Sequence, residues 1–288
     1  MDDFVSAYYA SLIHESSDWN TIINEALITF GGKAYPKYGQ VIIVSGGSGS
    51  GKGFVIDNLF GIEGKRYDVD YLKEVVAKDK ILRKQLSKQF NVDESVFDMQ
   101  TSEDVSTVHD IVKKSGLKQK YENQIFMMAK NAPENEKPNL IFDKTCKTFD
   151  DFYYVVETVK KHGYKPENIH FVWVLNDFET AMKQNSERAR HVHPDLMESI
   201  HTEVAHTMKK LFNNIENHID ADVWIAFNKR GTDVSAKKLN KGQFSKNDNY
   251  YIDHANTVKI KDAGEKNLKL DYETLRKIKE YVPKDTWN

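Results

Sequence analysis

Eight residues constrain this chain more than any others: Gly46-Gly47-Ser48-Gly49-Ser50-Gly51-Lys52-Gly53. They follow, after Ser45, on Val41-Ile42-Ile43-Val44, and lead into a helix-periodic stretch over 54–60. A continuous run of β-branched residues reads as a strand buried on both faces, which requires a parallel sheet covered by helices. The G-x-x-x-x-G-K spacing between strand and helix lets successive backbone N–H groups curl around phosphate oxygens. The N-terminal end of the helix then points at the same anion. Glycines serve where a side chain would block that approach, and Lys52 adds a point charge for the β- and γ-phosphates. Residues Gly46 to Gly53, with Phe54 beside them, are therefore the expected nucleotide-binding residues. The expected ligand is a nucleoside triphosphate, ATP with Mg²⁺. Position 53 departs from the full motif, whose Ser or Thr gives its hydroxyl to the metal. Water can fill that place, a carboxylate can carry more of the metal, or the fold can bind nucleotide with little turnover. The first is the expectation, because the rest of the machinery is in place.

Strand-like runs at 41–44, 65–70, 140–142, 169–175 and 223–227 alternate with helical patterns. This alternation predicts an α/β, P-loop NTPase-type doubly wound sheet, mainly parallel, five-stranded and flanked by helices. Leu72, Val75, Val76, Leu82 and Leu86 predict one long charged helix from Tyr71 to Phe90, and the acidic residues over 91–110 predict an exposed connection into another helix. Further helices are expected at 121–130, 151–162 (ending at Gly163, a C′ glycine), 178–190 and 194–217. Residues 1–36 read as an N-terminal helical extension, 37–228 as the P-loop domain, and 229–288 as a basic loop and a closing segment packed on the same domain. The closing segment carries an expected edge hairpin at 250–252 and 258–260 and a helix near 272–281.

Composition narrows the class. The 41 Lys+Arg and 43 Asp+Glu nearly cancel, leaving a net charge of −2 over 288 residues, which fits neither a polybasic binder nor an acidic disordered chain. The lone Cys146 cannot form an internal disulfide, so a reducing compartment is expected. The acidic N-terminus lacks a signal-like apolar core, and no run reaches the ~18 apolar residues of a membrane helix. The expectation is a cytoplasmic protein with no membrane partner.

The acceptor side is read from carboxylates at strand ends. Asp70, about twenty residues after the loop, suits a base that takes a hydroxyl proton during phosphoryl transfer. Lys73, one turn on, suits an anionic group of the acceptor; a helix N-cap and a surface lysine would look the same. Asp143, ending the third strand, suits a metal-orienting or acceptor-binding role, or a plain strand-end cap. Cys146 has no His/Asn set beside it. Arg188 and Arg190 precede His191-Val192-His193-Pro194, and Pro194 starts the next helix, so the arginines suit a lid over the phosphates. His191 and His193 lack the rest of a ligand set, and His201 and His206 read as polar helix positions.

Four ordered motifs, GGSGSGKG at 46–53, DYLK at 70–73, LIFDKT at 140–145 and NSERARHVHPDL at 185–196, together resemble the P-loop kinases related to zeta toxins and to the kinase domain of phage polynucleotide 5′-kinase. The resemblance spans about residues 40–212. It implies that Asp70 acts on the acceptor hydroxyl, that Lys73 contacts acceptor phosphate, that Asp143 and Thr145 lie near the acceptor, and that Arg188 faces the donor phosphates. Gly53 departs from the family's Ser/Thr. The expected activity is an ATP-dependent kinase that passes the γ-phosphoryl group to a hydroxyl of an anionic acceptor, a nucleotide-sugar or a nucleic-acid hydroxyl. The alternative is an NTP-binding regulatory or assembly protein with weak or no phosphotransfer. The basic residues Lys229, Arg230, Lys237, Lys238, Lys241 and Lys246 would track nucleic-acid phosphates or simply be solvated.

Overall fold

Strand β1 (Val41–Ser45) is buried along its whole length, and its side chains divide by the two-residue period of a strand. Val41 and Ile43 enter one core, Ile42 and Val44 the other. The same division runs through β3 (Leu140–Asp143), β4 (Ile169–Asn176) and β5 (Val223–Asn228), so the sheet is apolar on both faces. In a computed structural model, which describes residues 28–31, 33, 36–186, 192–228 and 255–287, these strands form a six-stranded sheet with β2 (Lys65–Asp68) and β6 (Ala255–Lys261). The order is β2-β3-β1-β4-β5-β6. Every pairing is parallel except β5 with β6. The doubly wound α/β expectation is met, with one strand more than the five expected: β6 runs antiparallel along β5, Val258 opposite Ile225. The readings over residues 1–27, 229–246 and 250–252 lie outside the described residues.

Helix α1 (Lys52–Leu59) covers one face with Val55, Ile56 and Leu59, joined by Ile28 and Phe30. The other face is covered mainly by four later helices. Helices α2 (Val69–Lys78), α3 (Lys80–Phe90) and α4 (Ser102–Lys114) build a separate small core from Leu72, Val76, Leu86 and Val108, with Phe97 of the turn Glu94–Asp98. The single helix expected over 71–90 is two, because Asp79 turns extended and its carboxylate caps the N–H groups of Ile81 and Leu82. The 91–110 stretch leads into helix α4 with Asp93, Glu94, Asp98, Glu103 and Asp110 exposed, as expected, but it also packs inward. Phe97 and Met99 are buried, and Thr101 and Asp104 form a capping box for α4.

Helices α5 (Leu117–Asn131), α6 (Phe149–Lys161), α8 (Pro194–Phe212) and α9 (Tyr272–Tyr281) pack on the second face through Phe126, Phe152, Met208 and Ile278. Gly163, at φ +82°, ends α6 in the left-handed conformation as its C′ position predicts. Helix α7 (Phe178–Ser186) precedes residues 187–191, which lie outside the described residues, and α8 stops at Phe212 rather than 217. Among the described residues no helix is long and apolar enough to cross a membrane.

Candidate functional site

The chain leaves β1 for β2 and β3 on one side and later takes up β4 on the other, so the C-terminal end of β1 is a topological switch point. Open α/β sheets bind ligands in the crevice there. Residues 46–51 turn through it with Gly49 at φ +74° and Gly51 at φ +87°, conformations that strain any residue with a Cβ. Gly51 caps α1 and no side chain caps that helix, so the positive end of its dipole faces the hollow of the loop.

Three side chains brace the loop from behind. Asn176 Nδ2, at the end of β4, donates to the Gly49 carbonyl at 3.1 Å, and Asn228 Nδ2, at the end of β5, to the Ser50 carbonyl at 3.2 Å. His201 Nε2 on α8 meets the Ser48 carbonyl at 2.7 Å. Burial pushes the His201 pKa below its ordinary value despite that carbonyl, which favours the charged ring. His201 is thus the polar helix position read from the sequence and, in addition, a buried support of the loop. The braces leave no room for side chains: a Cβ on Gly47 would fall 2.5 Å from the His201 ring, and one on Gly51 would fall 1.9 Å from Asn228 Nδ2. Ser50 Oγ, shielded from solvent, has no partner among the described residues.

Lys52 folds back across the loop, donating to the carbonyls of Gly46 at 2.9 Å and Gly47 at 3.3 Å, with Asp143 Oδ1 at 4.0 Å. Asp143 is shared. Arg66 on β2 donates to its other oxygen, and also reaches Asp68 at 3.3 Å and Asp57 on α1 at 3.5 Å. The register explains the cluster. Asp68 lies opposite Asp143 across the β2–β3 pair, and two adjacent carboxylates need a cation. Arg66, two residues before Asp68, projects from the same face of the strand. Desolvation followed by the nearby Asp143 charge raises the Asp68 pKa, although Asp70 N–H and Arg66 pull it down. The sequence reading missed both Arg66 and Asp68.

Asp70 is in the first turn of α2, and the N-cap is Asp68, whose carboxylate accepts from Asp70 N–H at 2.8 Å. The Asp70 carboxylate is bonded to Lys73 at 2.5 Å and is 78% exposed, against 9% for Asp143 and 23% for Asp68. Desolvation works upward on it, but the charges of Lys73 and, farther off, Lys52 hold its pKa below the ordinary carboxylate value. Thr145 takes part through its backbone: its carbonyl accepts from Ser45 Oγ at 3.0 Å. Cys146 is buried, and desolvation pushes its thiol up to about 12, consistent with no nucleophilic role.

Arg188 and Arg190 lie outside the described residues. The base of their segment is fixed at both ends: Asn185 Nδ2 donates to the Val192 carbonyl at 2.6 Å, and Val192 N–H returns to Asn185 Oδ1 at 2.9 Å. Pro194 opens α8, as read from the sequence.

The described residues do not fit a divalent cation. Position 53 offers no side-chain oxygen, the Asp143 carboxylate is taken up by Arg66 and faces Lys52, and no group of three or more His, Cys, Asp or Glu among the described residues could hold a metal.

No protein-family model matches the chain, and no curated protein does. Among solved structures it is similar to a chain of the PezAT chromosomal toxin–antitoxin system of the human pathogen Streptococcus pneumoniae. That likeness has 14% identity over 78% of this chain and 77% of the other, at a TM-score of 0.40. It is also similar to AvrRxo1-ORF1:AvrRxo1-ORF2 with sulphate ions, at 11% identity and a TM-score of 0.46, and to AvrRxo1-ORF1:-ORF2 with ATP, at 10% and 0.47. In both of these, 86% of this chain spans 66% of the matched chain. By its ordered motifs the chain resembles the zeta-toxin-type P-loop kinases.

Proposed function

We propose that the protein is an ATP-dependent phosphotransferase that passes the γ-phosphoryl group to a hydroxyl of an anionic acceptor. The observation that carries this reading is the pairing of a braced glycine loop, with Lys52 lying across it, and an exposed carboxylate, Asp70, whose charge feels Lys52. The residues fit a triphosphate: the loop turns through two left-handed glycines, a helix end without a side-chain cap faces its hollow, and the buried Ser50 hydroxyl lacks a partner among the described residues. A triphosphate tail draws Lys52 off the Gly46 and Gly47 carbonyls and replaces hydrogen bonds to neutral acceptors with an ion pair to phosphate.

On the acceptor side Asp143 and Asp68 are held by Arg66, which leaves Asp70 to meet an incoming hydroxyl. Lys73 blocks it in the resting protein. An acceptor phosphate competes for Lys73, and its arrival releases the Asp70 carboxylate and raises its proton affinity at the moment it is needed. The acceptor oxygen then forms a bond to the γ-phosphorus, the bond from that phosphorus to the β–γ bridging oxygen breaks, ADP leaves, and the hydroxyl proton passes to Asp70. Asp143 and Thr145 border the acceptor, and Arg188 with Arg190 neutralises charge on the donor phosphates. The acceptor is a nucleotide-sugar or a nucleic-acid hydroxyl, the latter served by the basic segment 229–246. A second reading, nucleotide binding with little turnover, is favoured by Gly53 alone.

Incubation with γ-labelled ATP and pools of nucleotide-sugars, oligonucleotides and duplex DNA separates these readings. Label moving to an acceptor is the expected result. Phosphate release alone indicates hydrolysis, and binding without either indicates the regulator. Asp70→Asn should lower transfer by about 10²–10⁴-fold; full transfer by that variant would remove the base assignment.

A further inference from the structure

Gly53 and Arg66 belong together. Gly53 and Asp57 are four residues apart on α1 and share a face of that helix, and Arg66 on β2 lies against it, with Nη1 3.5 Å from Asp57. A Cβ built on Gly53 would meet Arg66 Nη2 at 3.6 Å. The guanidinium therefore stands over the position from which a Ser or Thr would offer its hydroxyl to a metal. It also holds the strand-end carboxylate Asp143, whose other oxygen faces Lys52. Its Nε is shielded from solvent and has no partner among the described residues. A divalent cation at this place would lose one ligand and compete with Arg66 and Lys52 for Asp143, while Arg66 also occupies the carboxylates of Asp57 and Asp68.

We propose that Arg66 is the built-in countercharge of this loop, so that the protein binds a nucleoside triphosphate without a divalent cation. The proposal rests on the triphosphate reading above and adds to it a specificity for the metal-free nucleotide. A guanidinium suits the task because it is always charged and presents its donors in a planar fork matched to phosphate oxygens. Asp57, the loosest and most exposed of its partners, gives up its contact as a phosphate arrives.

The test titrates the full chain with ATP by calorimetry, once in excess MgCl₂ and once in EDTA. The wild-type dissociation constants should agree within about threefold. Arg66→Gln should weaken binding in EDTA by about tenfold or more, as expected for a lost charge-assisted contact, and magnesium should recover part of the loss. Gly53→Ser, whose Cβ is accommodated at ordinary contact distance, should bind more tightly with magnesium than without. If Arg66→Gln fails to fold, by circular dichroism, the wild-type and Gly53→Ser titrations decide. Wild-type binding about tenfold or more tighter in MgCl₂ than in EDTA, or equal losses for Arg66→Gln in both buffers, would overturn the proposal. Absence of ATP binding in both buffers is a different result: it overturns the triphosphate reading and the proposal with it.

Discussion

Gly51→Ala tests the braced loop in a way that separates conformational strain from lost contacts. Gly51 has φ +87°, and forcing a side chain into the left-handed region costs about 1–2 kcal/mol. The new Cβ would lie 1.9 Å from Asn228 Nδ2, so Asn228 must rotate off the Ser50 carbonyl, at a further cost of about 1 kcal/mol for the hydrogen bond. The expected destabilisation is about 2–3 kcal/mol. Asn228→Ala alone removes the same hydrogen bond and costs about 1 kcal/mol. In the double variant that bond is lost only once and the clash is gone, so the total remains at about 2–3 kcal/mol rather than the additive 3–4. Urea unfolding of the three variants and wild type gives the coupling directly. A double variant whose loss equals the sum of the singles within about 0.5 kcal/mol would refute the close approach of Asn228 to Gly51.

Lys73→Met removes the main charge that lowers the Asp70 pKa. The acid limb of kcat/KM should then move to higher pH, because a base with a higher pKa loses its proton later, and the acceptor KM should rise. An unmoved limb would separate Asp70 from the rate. His170 is buried, with Nε2 at 2.7 Å from Gln40 Oε1 and Nδ1 accepting from Asp222 N–H at 3.2 Å, which fixes a neutral ring. Desolvation, only partly opposed by Asp222, pushes its pKa down to about 4. Between about 6.5 and that value the unfolded chain binds the extra proton, so stability should fall as pH falls through this window. His170→Gln should flatten the dependence of the urea midpoint over that range; an unchanged slope would remove His170 as its source.

The parts of this fold that could be read in the chain are those whose cause is local. Val41 to Val44 can only be a strand buried on both faces, and the glycines behind it can only turn sharply. Gly163 ends its helix for the same kind of reason. The break at Asp79 is invisible to periodicity, because Val75, Leu82 and Leu86, seven and four residues apart, continue a helical spacing across it; only the side chain's choice to cap Ile81 and Leu82 reveals it. Strand β6 is short on apolar residues, and its place is set by its pairing with β5. Arg66 and His201 act through partners 77 and 153 residues away, distances at which no local pattern speaks. The register of β2 against β3, which puts Asp68 beside Asp143, creates the need for Arg66, and that register exists only in the folded sheet.

Lys52 is the side chain on which the whole account turns, and its effect on ATP affinity is the most direct measurement. Calorimetric titration of Lys52→Met should show a dissociation constant raised by about tenfold or more, the loss of a charge-assisted contact, in a chain that unfolds in urea as a single cooperative transition. An affinity for ATP equal to that of the wild type would contradict the claim that this loop and its lysine hold the triphosphate.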